Sequence, residues 1–351
     1  MRRVTLRLPA FPLRVWLILA VLIPALGVGF LALQDYREIQ AEQRSADLIE
    51  VEIERIADLR LLQMWLAAES ALDSVQSGLG ASGVSVDDII TMMDSEIEIQ
   101  ATSDIRGLVD SAISELQNDA ARGPSGEALR RELESIDDIR TRSDTGEISG
   151  EEVRAYFSRA RALADATAEM LVDDVGQLNR DIGDPELTRW IDSLDSLSAL
   201  MQARIDEIVN TSLVLTRFPG TEPHPTAALE LAEANQRLDR AAATVSAIAN
   251  PDLLTSLEAI HATESAQAYH ELRVRIPEVL GLVDVDAPIS VRDFDGTTIV
   301  LGGFSVLPEE ADLLTEAKAQ AQAQAADAAN LAAQTQQRRL VSLAVVVAMA
   351  I

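Results

Sequence analysis

Three histidines, no cysteine and fifty-seven acids are what this chain offers for any chemistry. With no cysteine, disulfide and thiolate chemistry are excluded and the fold must be held by its core. His261 and His270 lie nine residues apart, about 13 Å along a helix, too far to share one metal, and His224 stands alone in a proline-rich loop. They read as surface histidines without a special role. There is no nucleophile elbow and no glycine-rich phosphate loop followed by lysine. Adjacent carboxylates such as Asp137-Asp138 and Asp173-Asp174 are unremarkable among so many acids, and at most suit a weak divalent-cation site. The expectation is no catalytic residue, no metal and no cofactor within these residues. An enzymatic output beyond Ile351, a kinase or a cyclase, stays open.

Charge narrows the partners. Six arginines (2, 3, 7, 14, 338 and 339) lie outside residues 35–337, and all the acids lie inside, so that segment carries 23 basic and 57 acidic residues, a net of −34. Such a field argues against nucleic acid and against anionic lipid headgroups. It also repels anionic ligands unless arginines are gathered locally.

The elements that would position a site begin with Val15–Leu33, nineteen residues without a charged side chain. As a helix this run spans roughly 28 Å, close to a bilayer's hydrocarbon core, and it reads as a transmembrane helix, with a cleaved signal peptide as the alternative. Arginines before it and acids after it put residues 1–14 in the cytoplasm and residues 34–337 outside, in a cell inner-membrane protein. Residues 340–351 form a second apolar run, too short to cross alone. They are expected to be the start of a second span in a truncated chain; a buried helix or tail anchor is the other reading.

Between these ends the composition favours long helices, with aromatics at 3% and Ala, Leu, Glu, Gln and Arg abundant. Ile49, Ile53, Ile56, Leu59, Leu62 and Leu66 form one apolar stripe on a helix running unbroken to about Val75. The stripe predicts a parallel homodimer along this helix. Further helices are expected over 86–121, to about Arg142, from a Ser149/Glu152 capping box to about Asp181, from Pro185 onward, and over 226–248 and 252–275, with 217–226 as a linker. Residues 289–307, with Asp295-Gly296 and Gly302-Gly303 among β-branched residues, predict a small β-hairpin excursion. The Ala/Gln-rich stretch 317–337 reads as a helical stalk. The fold class is all-α, an antiparallel multi-helix bundle between two transmembrane helices.

Three segments carry a resemblance. Residues 56–78, 133–171 and 187–215 resemble, in leucine pattern, in a helix end with Ile139-Arg140 and a following Tyr-led helix, and in an Ala-Leu pair at 199–200, the nitrate- and nitrite-sensing (NIT-like) domain family, with a core of about 56–215. The resemblance implies an all-helical, dimeric input domain between two membrane helices. The family's Glu-Arg-Gly is Glu69-Ser70-Ala71 here, its second Glu-Arg is Val209-Asn210, and Arg140 is the one arginine left at a matching position. Nitrate needs convergent guanidinium forks, which Ser70 and Asn210 do not supply. The implied pocket of Arg140, Glu69, Ser70, Arg204 and Asn210 suits a small polar ligand, zwitterionic or neutral, better than a bare oxyanion. The expected function is the sensory input region of a bacterial transmembrane receptor (histidine kinase, cyclic-di-GMP enzyme or chemoreceptor) that signals by helix displacement. The alternative is a membrane-anchored helical structural or partner-binding protein without an output.

Overall fold

The computed structural model describes residues 13–79, 102–119, 123–214, 226–281 and 296–350, and all regular structure among them is α-helical. The first helix, α1 (Leu13–Leu79), has no glycine or proline between residues 34 and 77 to stop it. It is followed by α2 (Thr102–Asp119), α3 (Gly123–Leu133), α4 (Ile136–Asp144), α5 (Gly150–Ile182) and α6 (Pro185–Val214). Then come α7 (Ala227–Ile248), α8 (Pro251–His261), α9 (Glu264–Arg273), the single turn α10 (Ile276–Val279) and the closing helix α11 (Gly296–Ala350).

Local chemistry fixes several of these ends. Ser149 Oγ accepts from the Glu152 amide at 3.2 Å while Glu152 Oε2 accepts from the Ser149 amide at 2.9 Å, so the expected capping box opens α5. Gly183, at φ 73°, closes it in the left-handed conformation that glycine adopts without cost. Asn250 caps α8 by accepting from the Asp252 amide, with Pro251 at the first helical position. The helix expected over 252–275 is therefore two, separated at 262–263.

Helices α2, α4 and α5 pack on α1 and α3 packs on α5, while α6, α8 and α9 pack with α11 and α7 packs on α6. Along α1 itself both groups meet, because α1 touches α5 on one side and α6 and α11 on others. The stripe Ile49, Ile53, Ile56, Leu59, Leu62 and Leu66 is wholly buried by these neighbours. Each such side chain contributes about 1.5–3 kcal/mol of burial. This corrects the expected dimer seam: the stripe is core of one chain and has no face left for a second copy.

Two further expectations fail. The hairpin over 289–307 is not formed: 289–295 lie outside the described residues, and 296–307 are the first turns of α11. Gly302 and Gly303 serve close helix packing instead of a turn. A Cβ on Gly302 would stand 2.8 Å from Tyr269 Cβ, and one on Gly303 would stand 2.5 Å from Ile208 Cδ1. The transmembrane helices also find no support, for among the described residues no helix is long and apolar enough to cross a membrane. The backbones of 15–33 and 340–350 continue α1 and α11, while the side chains of 13–29 and 343–350 lie outside the described residues. The cores of α1 and α11, from Ile49 to Leu72 and from Ile299 to Ala325, pack on each other and on the shorter helices, whereas Phe30, Leu33, Leu331 and Val341 are exposed. The helix start expected at 86 and the linker at 217–225 lie outside the described residues.

Candidate functional site

A helical bundle this apolar would normally keep charges at its rim, yet three ion networks run through its interior. The first joins α1, α2 and α4. Glu69 is fully buried and takes Arg140 in a two-pronged pair, Nε to Oε1 at 2.6 Å and Nη2 to Oε2 at 2.9 Å. Arg140 also donates to Asp110 at 2.6 Å and Asp137 at 3.2 Å. Arg106 grips Asp144 with both terminal nitrogens at 2.8 Å and reaches the buried Asp73 at 2.9 Å. Burial raises the Glu69 carboxyl against the pull of Arg140, and it pushes Asp73, whose Oδ2 has no hydrogen-bond partner, up to about 7.

A second network stitches α1 to α5 and α6. Arg60 donates to Asp165 and, at 2.5 Å, to Asp195, while Gln63 bonds Arg60, Asp165, the Arg161 carbonyl and Gln202.

The third network lies beside a cleft. Arg204 on α6 pairs with Glu310 on α11, Nη2 to Oε1 at 2.6 Å and Nε to Oε2 at 2.9 Å. Its guanidinium lies over the Tyr269 ring, 5.2 Å from the centroid, and its Nη2 is 3.1 Å from His261 Nε2, which in turn is 3.2 Å from Glu310. Tyr269 donates its hydroxyl to Glu207 at 2.7 Å, and Arg273 Nη2 bridges to Asp239 at 2.7 Å and the Asn235 carbonyl at 3.1 Å. Burial pushes Glu207 up; in Glu310 it is outweighed by Arg204 and His261, which hold that carboxyl below its ordinary value. Tyr269 is raised well above the ordinary phenol by burial and by Glu207.

A cleft of about 450 Å³ opens over this third network between α7 and α9. Arg204, Asp239, His261, Tyr269 and Arg273 face it, together with Leu200, Leu238, Ala242 and Ala266. That volume, with an apolar patch among mostly polar and charged side chains, suits a small polar organic ligand.

Of the five expected site residues, the structure joins Glu69 with Arg140 and brings Arg204 elsewhere. Ser70 is buried beside Glu69 on α1. Asn210 donates to the Asp206 carbonyl one turn back, at 2.6 Å. Arg140 and Arg204 belong to networks with no partner in common, so one pocket containing all five is not formed. Each arginine is matched by a buried carboxylate, which leaves neither as the empty fork that an oxyanion requires. Sequence reasoning missed Glu310, Tyr269 and Arg273, and it dismissed His261, which hydrogen-bonds within the third network. Among the described residues no group of histidines and acids has the arrangement of a metal site.

No protein family matches the chain, and no curated protein does. Among solved structures it is similar to that of the NasR transcription antiterminator, with a TM-score of 0.60 and 14% identity over 87% of this chain and 81% of that one. At that identity the likeness speaks for the fold alone. It overturns the transmembrane-receptor reading and the inner-membrane localisation drawn from 15–33 and 340–351: the fold recurs in a transcription antiterminator, and no described helix suits a bilayer. The exclusion of nucleic acid also loses its support, because net charge describes the average field and a fold shared with an antiterminator does not follow from it. What stands is an all-helical chain with the fold seen in the NasR transcription antiterminator.

Proposed function

We propose that this chain is a small-ligand-responsive regulatory domain of the nitrate- and nitrite-sensing type, in which a polar ligand seated between α7 and α9 changes how α11 packs. The observation that carries the reading is Arg204. It lines the cleft, and its guanidinium is locked in a bidentate pair with Glu310 on α11. A ligand that draws on Arg204 or on the neighbouring His261 competes with Glu310, which ties occupancy of the cleft to the seating of α11. The contact lies two residues past Pro308, which lacks the amide that would complete the helix ladder, so α11 yields most readily close to this point. The Glu69–Arg140 pair, closed and fully matched, clamps the other half of the bundle and does not receive the ligand.

The test is calorimetric melting of the chain with nitrate, nitrite and a panel of small polar metabolites, followed by amide hydrogen exchange with any compound that stabilises it. The reading expects at least one compound to raise Tm and to alter protection around residues 304–314 of α11. A panel that never shifts Tm, or stabilisation with unchanged exchange in α11, refutes it.

A further inference from the structure

We propose that the ligand of the α7–α9 cleft is a free α-amino acid with an apolar side chain, its carboxylate taken by Arg273 and its ammonium by Asp239 and Glu271. This rests on the ligand-responsive reading above and goes beyond it by naming the ligand's chemistry and the residues that read it.

The cleft lies where α7 packs on α6 while α9 packs on α11, and Arg273 reaches across it from α9 to α7. Arg273 is 94% buried but bonds across to α7 through Nη2 only, to Asp239 and to the Asn235 carbonyl. Among the described residues its Nε has no hydrogen-bond partner and stands 4.0 Å from Glu207 Oε1, itself unpartnered. Its Nε side is thus turned to Glu207, while Nη2 is held by the exposed Asp239 at the cleft, where a ligand carboxylate can take that carboxylate's place on the guanidinium.

Charge decides which carboxylate. Asp239 and Glu271 line the cleft, and the buried carboxylates Glu207 and Glu310 stand immediately behind Tyr269 and Arg204, so the lining is not cationic overall. A bare anion entering here would gain Arg273 and meet four acids. A bare cation would gain Asp239 and leave the buried Arg273 without its partner, a costly state. A zwitterion exchanges the single Arg273–Asp239 pair for two, one at each pole, and strands neither residue. Beside the polar His261, Gln267 and His270, the lining offers Leu200, Leu238, Ala242 and Ala266 as an apolar patch that receives the side chain.

Titration calorimetry of the full chain settles this with leucine, valine and methionine, their amides and N-acetyl derivatives, and sodium nitrate. The proposal expects a free amino acid to bind and both blocked forms to bind at least tenfold more weakly. Asp239→Asn, exposed and still offering an Oδ1 that can accept from Arg273, should weaken binding at least tenfold, and Ala242→Phe, which fills the cleft, should abolish it, with both proteins still melting cooperatively. Amino-acid binding that Ala242→Phe leaves untouched, or equal binding of the amides, overturns the proposal. Binding of nitrate with no amino acid overturns the ligand class and leaves the regulatory reading standing; no binding by any compound, here and in the wider metabolite panel, sinks both.

Discussion

Replacing Asp73 by asparagine should make this protein more stable at alkaline pH and remove much of its pH dependence. Asp73 is fully buried on α1; its Oδ1 accepts from Arg106 at 2.9 Å, its Oδ2 accepts nothing, and Arg106 is already shared with Asp144. Burial, more than any opposing charge, raises its carboxyl from 3.8 to about 7. A carboxyl whose pKa is higher in the folded state holds its proton there longer than in the unfolded chain. Stability is therefore greatest at low pH and falls as pH rises between those two values. Three pKa units correspond to about 4 kcal/mol over the full range, of which roughly 3 kcal/mol falls between pH 5 and pH 8. Asparagine keeps the acceptor for Arg106 and never ionises. Urea unfolding of wild type and Asp73→Asn at both pH values isolates this contribution, because Glu69, also raised by burial, and Glu310, held low, are present in both proteins. The expected result is near-equal stability at pH 5 and an advantage for the variant of roughly 3 kcal/mol at pH 8. Curves that stay parallel within about 0.5 kcal/mol would mean that water or Arg106 solvates Asp73 far better than its geometry allows.

Arg140→Ala removes both hydrogen bonds to buried Glu69, leaving it only the Arg106 Nε at 3.5 Å, and should lower stability by about 3–5 kcal/mol in urea, while Arg140→Lys, lacking the fork, should recover only part of it. Tyr269→Phe removes the donor to buried Glu207 and should cost about 1–3 kcal/mol, measured the same way. Gly302→Ala, normally favourable inside a helix, should instead lower Tm, because the new methyl group meets the backbone-anchored Tyr269 Cβ at 2.8 Å. Leu62→Ala, at a fully buried point of α1, should cost about 2–5 kcal/mol.

What the chain discloses to a reader of its sequence is mostly local. The capping box at Ser149, the unbroken course of α1 and the all-helical class follow from spacing and composition, and the structure has them all. The stripe from Ile49 to Leu66 shows where the gap opens between pattern and structure. Period 3.6 says that a face is buried but not by what, and here α5, α6 and α11 cover it in place of a second chain. The same limit produced the false hairpin, since two consecutive glycines are written alike whether they turn a strand or let two helices approach. The Glu69–Arg140 pair could be reached through the resemblance, but Arg204 and Glu310 stand 106 positions apart with no motif between them, and only the fold introduces them.

The pairing of α1 with α11 also has a consequence for the order of events during synthesis. Lys318 Nζ meets Asp58 at 2.8 Å across 260 residues, and Trp65, Ala68 and Leu72 line one small cavity together with Phe304, Leu307 and Pro308. At about 5–20 residues per second, a ribosome needs roughly 10–50 s after making Asp58 before Lys318 exists. For that interval this flank of α1 has no native cover, even though α5 has arrived on the opposite side. The nascent chain therefore passes through a half-built state that shows Trp65 and its neighbours to the surrounding medium, and that interval before α11 emerges is when aggregation is favoured most.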